Sequence, residues 1–202
     1  AVPAAPPARA GELEVVPLVH DRFFNKFFQG GGRLYRLVAQ QEGGPRAVVI
    51  RSGNWTLPAL AARLSGEKDV LRRQGQTYLL RMPVLLQAGT ALMVSEGETL
   101  RLSRNRGSFL ISMGTLHLRK AHIEAWDETR GAQALPADDT TFQPFLLGWS
   151  GSRTLLRDST LSGLGFNEGL AKGLTLATGP MGLAGYDLPA PPQALIQGSR
   201  FE

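Results

Sequence analysis

The sequence predicts an all-β protein: a parallel β-helix with a small N-terminal α/β cap. Three observations carry this reading. Two stretches, "PVLLQAGTALMV" at 83–94 and "SFLISMGTLHLR" at 108–119, repeat one pattern 25 residues apart: an apolar run, a Gly-Thr pair, then alternating apolar residues. From about residue 77 onward, short apolar segments alternate with Gly, Ser, Asn and Thr turns. Helical spacing is confined to the earlier part, where Leu57, Leu60 and Leu64 fall on one face.

Taken in order, "AVPAAPPARAG" is Pro/Ala-rich and predicts a flexible, extended lead-in over 1–12. It has no apolar h-region, so it is not an intact signal peptide. Residues 13–76 form the expected cap. Within it "LEVVPLVH" and "RLYRLVAQQ" alternate as strands do, with "GGG" at 30–32 between short segments. Val48 to Ile50 predicts a strand and "SGN" a turn. Thr56 then caps a short helix with Pro58 in its first turn.

Residues 77–202 hold the repeats. Aligning the two phrases sets Leu85 on Leu110, Gly89 on Gly114 and Thr90 on Thr115. A third copy begins at "PFLLGWSGSRTLLRDSTLSGLG", with Leu146 on Leu110 and "STLSGL" on "AHIEAW". A weaker fourth is "GLTLATG" followed by "ALIQGSRFE". Repeats of this length signal solenoids, propellers or arrays, and units of very short strands without helix suit a β-helix. Each unit would form one rung, with Leu85, Leu110 and Leu146 as an inward ladder. A rung cannot bury its apolar face alone, so several must stack. A sandwich or barrel also suits short, regular strands, but unequal spacing fits a solenoid with loops better.

Composition narrows the function. With 43% hydrophobic and 19% charged residues the chain is globular, and it has no apolar run long enough to span a membrane. The absence of cysteine removes disulfides, thiolate metal sites and Cys nucleophiles. A net charge of +5 favours a polyanionic partner. Nucleic acid is the weaker choice, because aromatics are few and no nucleic-acid motif appears. No phosphate loop and no Gly-x-Ser-x-Gly elbow occurs.

A longer pattern runs through "TYLLRMPVLLQAGTALMVSEGETLRLSRNRGSFLISMGTLHLRKAHIEAWDE". It continues with a Trp126-Asp127 pair, "F.PFLL.W.G" from Phe142 to Gly151, and "DS…S.LGF" from Asp158 to Phe166. Over about 77–202 this resembles the periplasmic mannuronan (alginate) 5-epimerase family. The resemblance implies a right-handed parallel β-helix in the periplasm, and a basic groove for a mannuronate polymer. It implies a reaction that inverts carbon 5: a base removes the proton beside a carboxylate, a cation offsets the developing charge, and a proton returns from the other face. The family's Asp-Pro-His-Asp run is absent here, so the resemblance implies only the N-terminal portion, with further rungs after "SRFE" and no catalytic residue.

The expected substrate-binding residues are Arg104, Arg106, Arg119, Lys172 and Trp149. "RLSRNRG" and "LRK" supply cations for carboxylates, and Arg offers a bidentate fork. Trp126 and Trp149 offer rings for sugar stacking or for packing. His117 and His122 are possible bases or ordinary strand histidines. No histidine has metal-ligand spacing with a third ligand, so no metal or cofactor is expected. The alternative to a piece of an epimerase is a non-catalytic β-helix module that binds acidic polysaccharide or docks other proteins of a polysaccharide secretion complex. A polysaccharide lyase is a weaker third reading.

Overall fold

The computed structural model describes residues 2–29, 32–40, 44–67, 69–136, 141–165 and 169–202. The chain passes through β1 (Leu13–Pro17), α1 (Arg22–Phe27), α2 (Arg33–Val38), β2 (Arg46–Ile50), β3 (Asn54–Thr56) and α3 (Leu57–Arg63). An antiparallel pair follows, β4 (Leu71–Gln74) and β5 (Thr77–Leu80). Next come β6 (Val84–Leu86), β7 (Ala91–Val94) and β8 (Thr99–Ser103), then β9 (Leu110–Ser112), β10 (Thr115–Arg119) and β11 (His122–Asp127). The short β12 (Ala132–Gln133) doubles back on β11. The last strands are β13 (Leu146–Gly148), β14 (Arg153–Arg157), β15 (Thr160–Ser162), β16 (Leu174–Leu176), β17 (Gln193–Gln197) and β18 (Arg200–Phe201).

From β6 on, strands enter three sheets in rotation. The first sheet runs β1-β2-β6-β9-β13-β16, the second β17-β14-β10-β7-β3 and the third β18-β15-β11-β8-β5-β4. Pairing is parallel except for β1, β4 and β12, each antiparallel to its neighbour. The protein is therefore mostly β with parallel sheets, as the repeats predict. Parallel stacking reaches back to β2 and β3, which pair with β6 and β7, so residues 46–56 already supply strands to two sheets.

Each sheet turns one apolar ladder inward. In the first, Val48, Val84, Leu110, Leu146 and Leu174 lie side by side. In the third, the ladder is Tyr78, Leu100, Ile123, Leu161 and Phe201. Trp55, Leu92 and Leu116 begin the ladder of the second sheet, and the three ladders meet in one core.

The predicted register is one residue out between the first two copies. Val84, not Leu85, lies beside Leu110, and Leu85 lies beside Ile111. The interval differs by sheet: 84 to 110 in the first, 91 to 115 in the second, 99 to 122 in the third. A one-residue slip reverses the face. Leu85 therefore points outward, into a second cluster with Val49, Ile111, Leu147, Phe23, Phe24 and Phe109. The third copy is in the predicted register, with Leu146 beside Leu110 and Thr160 to Ser162 beside His122 to Glu124.

That outward cluster accounts for the first two helices. The segment "RLYRLVAQQ", predicted as a strand, forms α2, and Leu34, Leu37 and Val38 at helical spacing pack on the first sheet's outer face. Asp21 caps α1 by accepting the Phe23 and Phe24 N–H groups. The helix predicted at 57 is present, with Thr56 accepting the Ala59 N–H. Gly30 and Gly31 of "GGG", and Phe166 of the longer pattern, lie outside the described residues.

The corner between the second and third sheets repeats one backbone conformation. Gly97, Lys120, Asp158 and Gly198 all take a left-handed φ, of 81°, 48°, 50° and 61°. Each N–H of the first three donates to a carbonyl at the next such corner: Gly97 to Lys120, Lys120 to Arg157, Asp158 to Gln197. This φ costs a non-glycine residue free energy, and stacking holds it at two of the four positions.

Candidate functional site

Strand alternation gives each sheet an outward face, and the three faces differ. The first is covered by α1, α2 and the loop carrying Met181 and Tyr186. The second carries Arg119, Arg153 and Arg157, and the third carries Arg72, Arg73, Arg101 and Arg200.

On and beside the third sheet, Arg81, Arg101 and Arg104 are spent on acids, whereas Arg73 lies over the Tyr78 ring and donates to the Gly75 carbonyl. Arg101 donates to Glu124 at 2.7 Å, and its guanidinium lies 3.3 Å from the centre of the Trp126 ring. Arg81, almost fully buried, donates to both carboxylate oxygens of Glu128 at 3.0 and 3.1 Å, and to Asp69 at 2.9 Å. Arg104 donates to Asp127 and, at 3.4 Å, to the Leu135 carbonyl. Asp127 also accepts the N–H groups of Thr129 (3.0 Å) and Arg130 (3.2 Å) and the Asn105 amide (3.3 Å). Burial pushes the Asp127 carboxyl up, but these donors and the Arg104 charge outweigh it and hold it below the ordinary value. His122 Nε2 lies 2.6 Å from Ser162 Oγ, and that hydroxyl is buried.

The second sheet is the opposite case. Its outward row is Thr56, Met93, His117, Leu155 and Leu195, in register across β3, β7, β10, β14 and β17. Beside it, Arg119 and Arg157 are register partners, and Arg153 lies two residues to the other side of Leu155. All three are exposed. Arg119 and Arg153 have no acidic partner among the described residues, and Arg157 has only the exposed Asp158 at 3.6 Å. Burial pushes the His117 imidazole below its ordinary pKa, the Pro3 carbonyl opposes this, and Arg119 adds to it.

The predicted site residues are not gathered in one place. Arg119 stands on the second sheet's face. Arg104 is locked to Asp127, with Arg106 half-buried on the same turn. Trp149 is buried in the outward cluster, edge-on to Phe23 with ring centres 6.2 Å apart, so its faces serve packing and not sugar stacking. Lys172 lines a hollow of about 540 Å³ with Leu161, Leu174, Ile196 and Phe201 at the end of the stack. Arg153 and Arg157 were missed. Their signal was available: aligning "TLHLR" with "RTLLR" as one strand position puts Arg119 beside Arg157. No group of three or more metal-ligating side chains occurs among the described residues.

No family model matches the chain. It is similar to the mannuronan C5-epimerase of Pseudomonas syringae pv. tomato, 28% identical over 171 residues that cover 84% of this chain and 32% of the relative. The mannuronan C5-epimerase AlgG of Azotobacter vinelandii is 30% identical over 151 residues, 74% of this chain and 29% of the relative. Among solved structures, the periplasmic alginate epimerase AlgG superposes with a TM-score of 0.85 at 26% identity, over 95% of this chain and 45% of that one. The chain thus spans about a third of the length of the curated relatives it matches.

Proposed function

The chain belongs to the mannuronan C5-epimerase family, and from that premise we propose that it forms the early coils of a periplasmic, right-handed parallel β-helix that holds polymannuronate for epimerisation. Residues 13–76 act as its N-terminal cap, with β2 and β3 the first strands of the parallel stack, and 77–202 as its rungs. The observation that carries the substrate reading is the set Arg119, Arg153 and Arg157: exposed, clustered on one outward face, and at most weakly engaged by acids. Guanidinium groups bind carboxylates bidentately, and in-register arginines on adjacent strands stand one strand spacing apart, on the order of 5 Å. A polyuronate laid along the coil meets cations on successive strands.

No proton transfer is assigned to a residue of this portion. The Asp-Pro-His-Asp run that the family resemblance leads one to expect is not among the 202 residues. His117 is buried and His122 is engaged by Ser162, so neither is presented to a sugar ring as a free base. The role proposed for this portion is to hold the polymer in register.

Calorimetry with mannuronate oligomers, at low and moderate salt and with neutral glucan oligomers as control, tests the reading. The expected result is salt-sensitive binding of the uronate alone, weakened about tenfold when Arg119→Ser, Arg153→Ser and Arg157→Ser are combined, since exposed ion pairs contribute roughly 0.2–1 kcal/mol each. Equal binding of glucan and mannuronate would overturn it.

A further inference from the structure

The row between these arginines is buried, although it faces outward. Met93, His117 and Leu155 are each 4% exposed, whereas Leu195, next in the same row, is 43% exposed. The cover at His117 is the chain's own beginning. Arg9 and Asn54 exchange backbone hydrogen bonds at 3.0 and 2.8 Å. The Asn54 side-chain amide donates to the Pro7 carbonyl at 2.9 Å. Val2 is buried, and the Pro3 carbonyl meets the His117 imidazole. From Asn54 on β3 to His117 on β10, the segment runs along the coil axis, across strands rather than along them.

We propose that this N-terminal strap occupies a binding track for acidic polysaccharide, and that polyuronate and strap compete for it. This rests on the reading of the second-sheet face given above. The chemistry under the strap suits a uronate chain: an apolar floor with one imidazole, and guanidinium groups on both sides. The strap itself holds weakly. Pro3, Pro6 and Pro7 have no N–H to donate, so three of its first seven residues cannot donate a backbone bond to a strand. An extended, proline-rich chain also loses little entropy in such a track, which is how it stays seated with few bonds.

The test uses the full chain, a variant lacking residues 1–9, and Asn54→Ala, which removes the amide that holds Pro7 while leaving the cover over the apolar row. Mannuronate oligomers are titrated into each. The expected result is affinity ~10-fold higher without the strap and a smaller gain in Asn54→Ala, because a covered site binds in proportion to its open fraction. Adding Arg119→Ser, Arg153→Ser and Arg157→Ser to the strapless variant should abolish the gain. In the full chain, oligomer should also speed tryptic cleavage after Arg9, whose backbone is paired when the strap is down. Equal affinity in all three proteins, with cleavage unchanged by oligomer, would overturn the competition and leave the arginine face standing. Absence of uronate binding in all three would overturn both.

Discussion

The second- and third-sheet faces use the same residue type for opposite ends. On the third, Arg81, Arg101 and Arg104 are each closed onto a carboxylate of a neighbouring strand or turn. On the second, Arg119 and Arg153 face outward with no acid to meet among the described residues. A count of basic residues does not separate them. What separates them is where the acids fall in the coil. The first set should govern folding and the second binding, and substitutions can break or sharpen that division.

The largest effect is expected at Arg81. Its side chain is 4% exposed and joins Asp69, before β4, to Glu128, after β11. Arg81→Ala leaves Glu128 part-buried without its main cation, and removing one partner of a buried pair costs roughly 3–5 kcal/mol. Exposure of Asp69 to solvent puts this case near the lower end, about 3 kcal/mol. A urea titration should show the loss as a lower midpoint with unchanged slope. An unchanged midpoint would mean that the network contributes nothing to folding.

Arg104→Ala should cost about 2 kcal/mol, the scale of a hydrogen bond to a charged group. It should also change the acid limb. Asp127 has a folded pKa below its unfolded value, so its stabilisation is complete above about 3.8 and is lost as pH falls through the folded value. Without Arg104 the folded value moves up toward the unfolded one, so less stability is linked to Asp127, and the weakened protein should reach its acid-unfolding midpoint at higher pH. A midpoint that does not move would show that Asn105 and the two backbone N–H groups suffice.

These pairs show what the sequence hid. Arg101 and Glu124, like Arg104 and Asp127, are separated by 23 residues, the third sheet's interval. A 25-residue interval is legible because "GT" at 89–90 aligns with "GT" at 114–115, yet turns of unequal length give each sheet its own interval. The mostly-β, parallel-sheet reading and the Thr56 cap survive that difference, since they depend on local pattern. The first two copies' register does not, so "RLSRNRG" read as free cations when it holds ion pairs. Trp149 was equally illegible: its burial depends on Phe23, which only the fold brings beside it.

His117 sharpens the comparison from the other side. Its folded pKa is below its unfolded value of about 6.5, with burial the main cause. The unfolded chain therefore binds more protons between the two values, and stability rises with pH across that window. Stability is complete above about 6.5 and falls as pH drops below it. His117→Gln should flatten this part of the stability–pH curve and leave the Asp127 limb, at lower pH, where it is. A slope that persists in the variant would assign it to another group.

The smallest expected effect on folding is the most telling. Combining Arg119→Ser, Arg153→Ser and Arg157→Ser removes three cations, yet each is exposed and their one carboxylate contact is long. Exposed substitutions of this kind each change stability by under about 0.5 kcal/mol, and removing like charges from one face offsets part of that. The thermal midpoint should hardly move, while salt-dependent binding of mannuronate oligomers falls. The paired set predicts the reverse: Arg101→Ser should lower stability by roughly 1 kcal/mol, through loss of the Glu124 bond and the Trp126 contact, and leave oligomer binding unchanged. If Arg101→Ser weakens binding and the triple variant does not, the polymer lies on the third sheet, and the ion pairs there open to receive it.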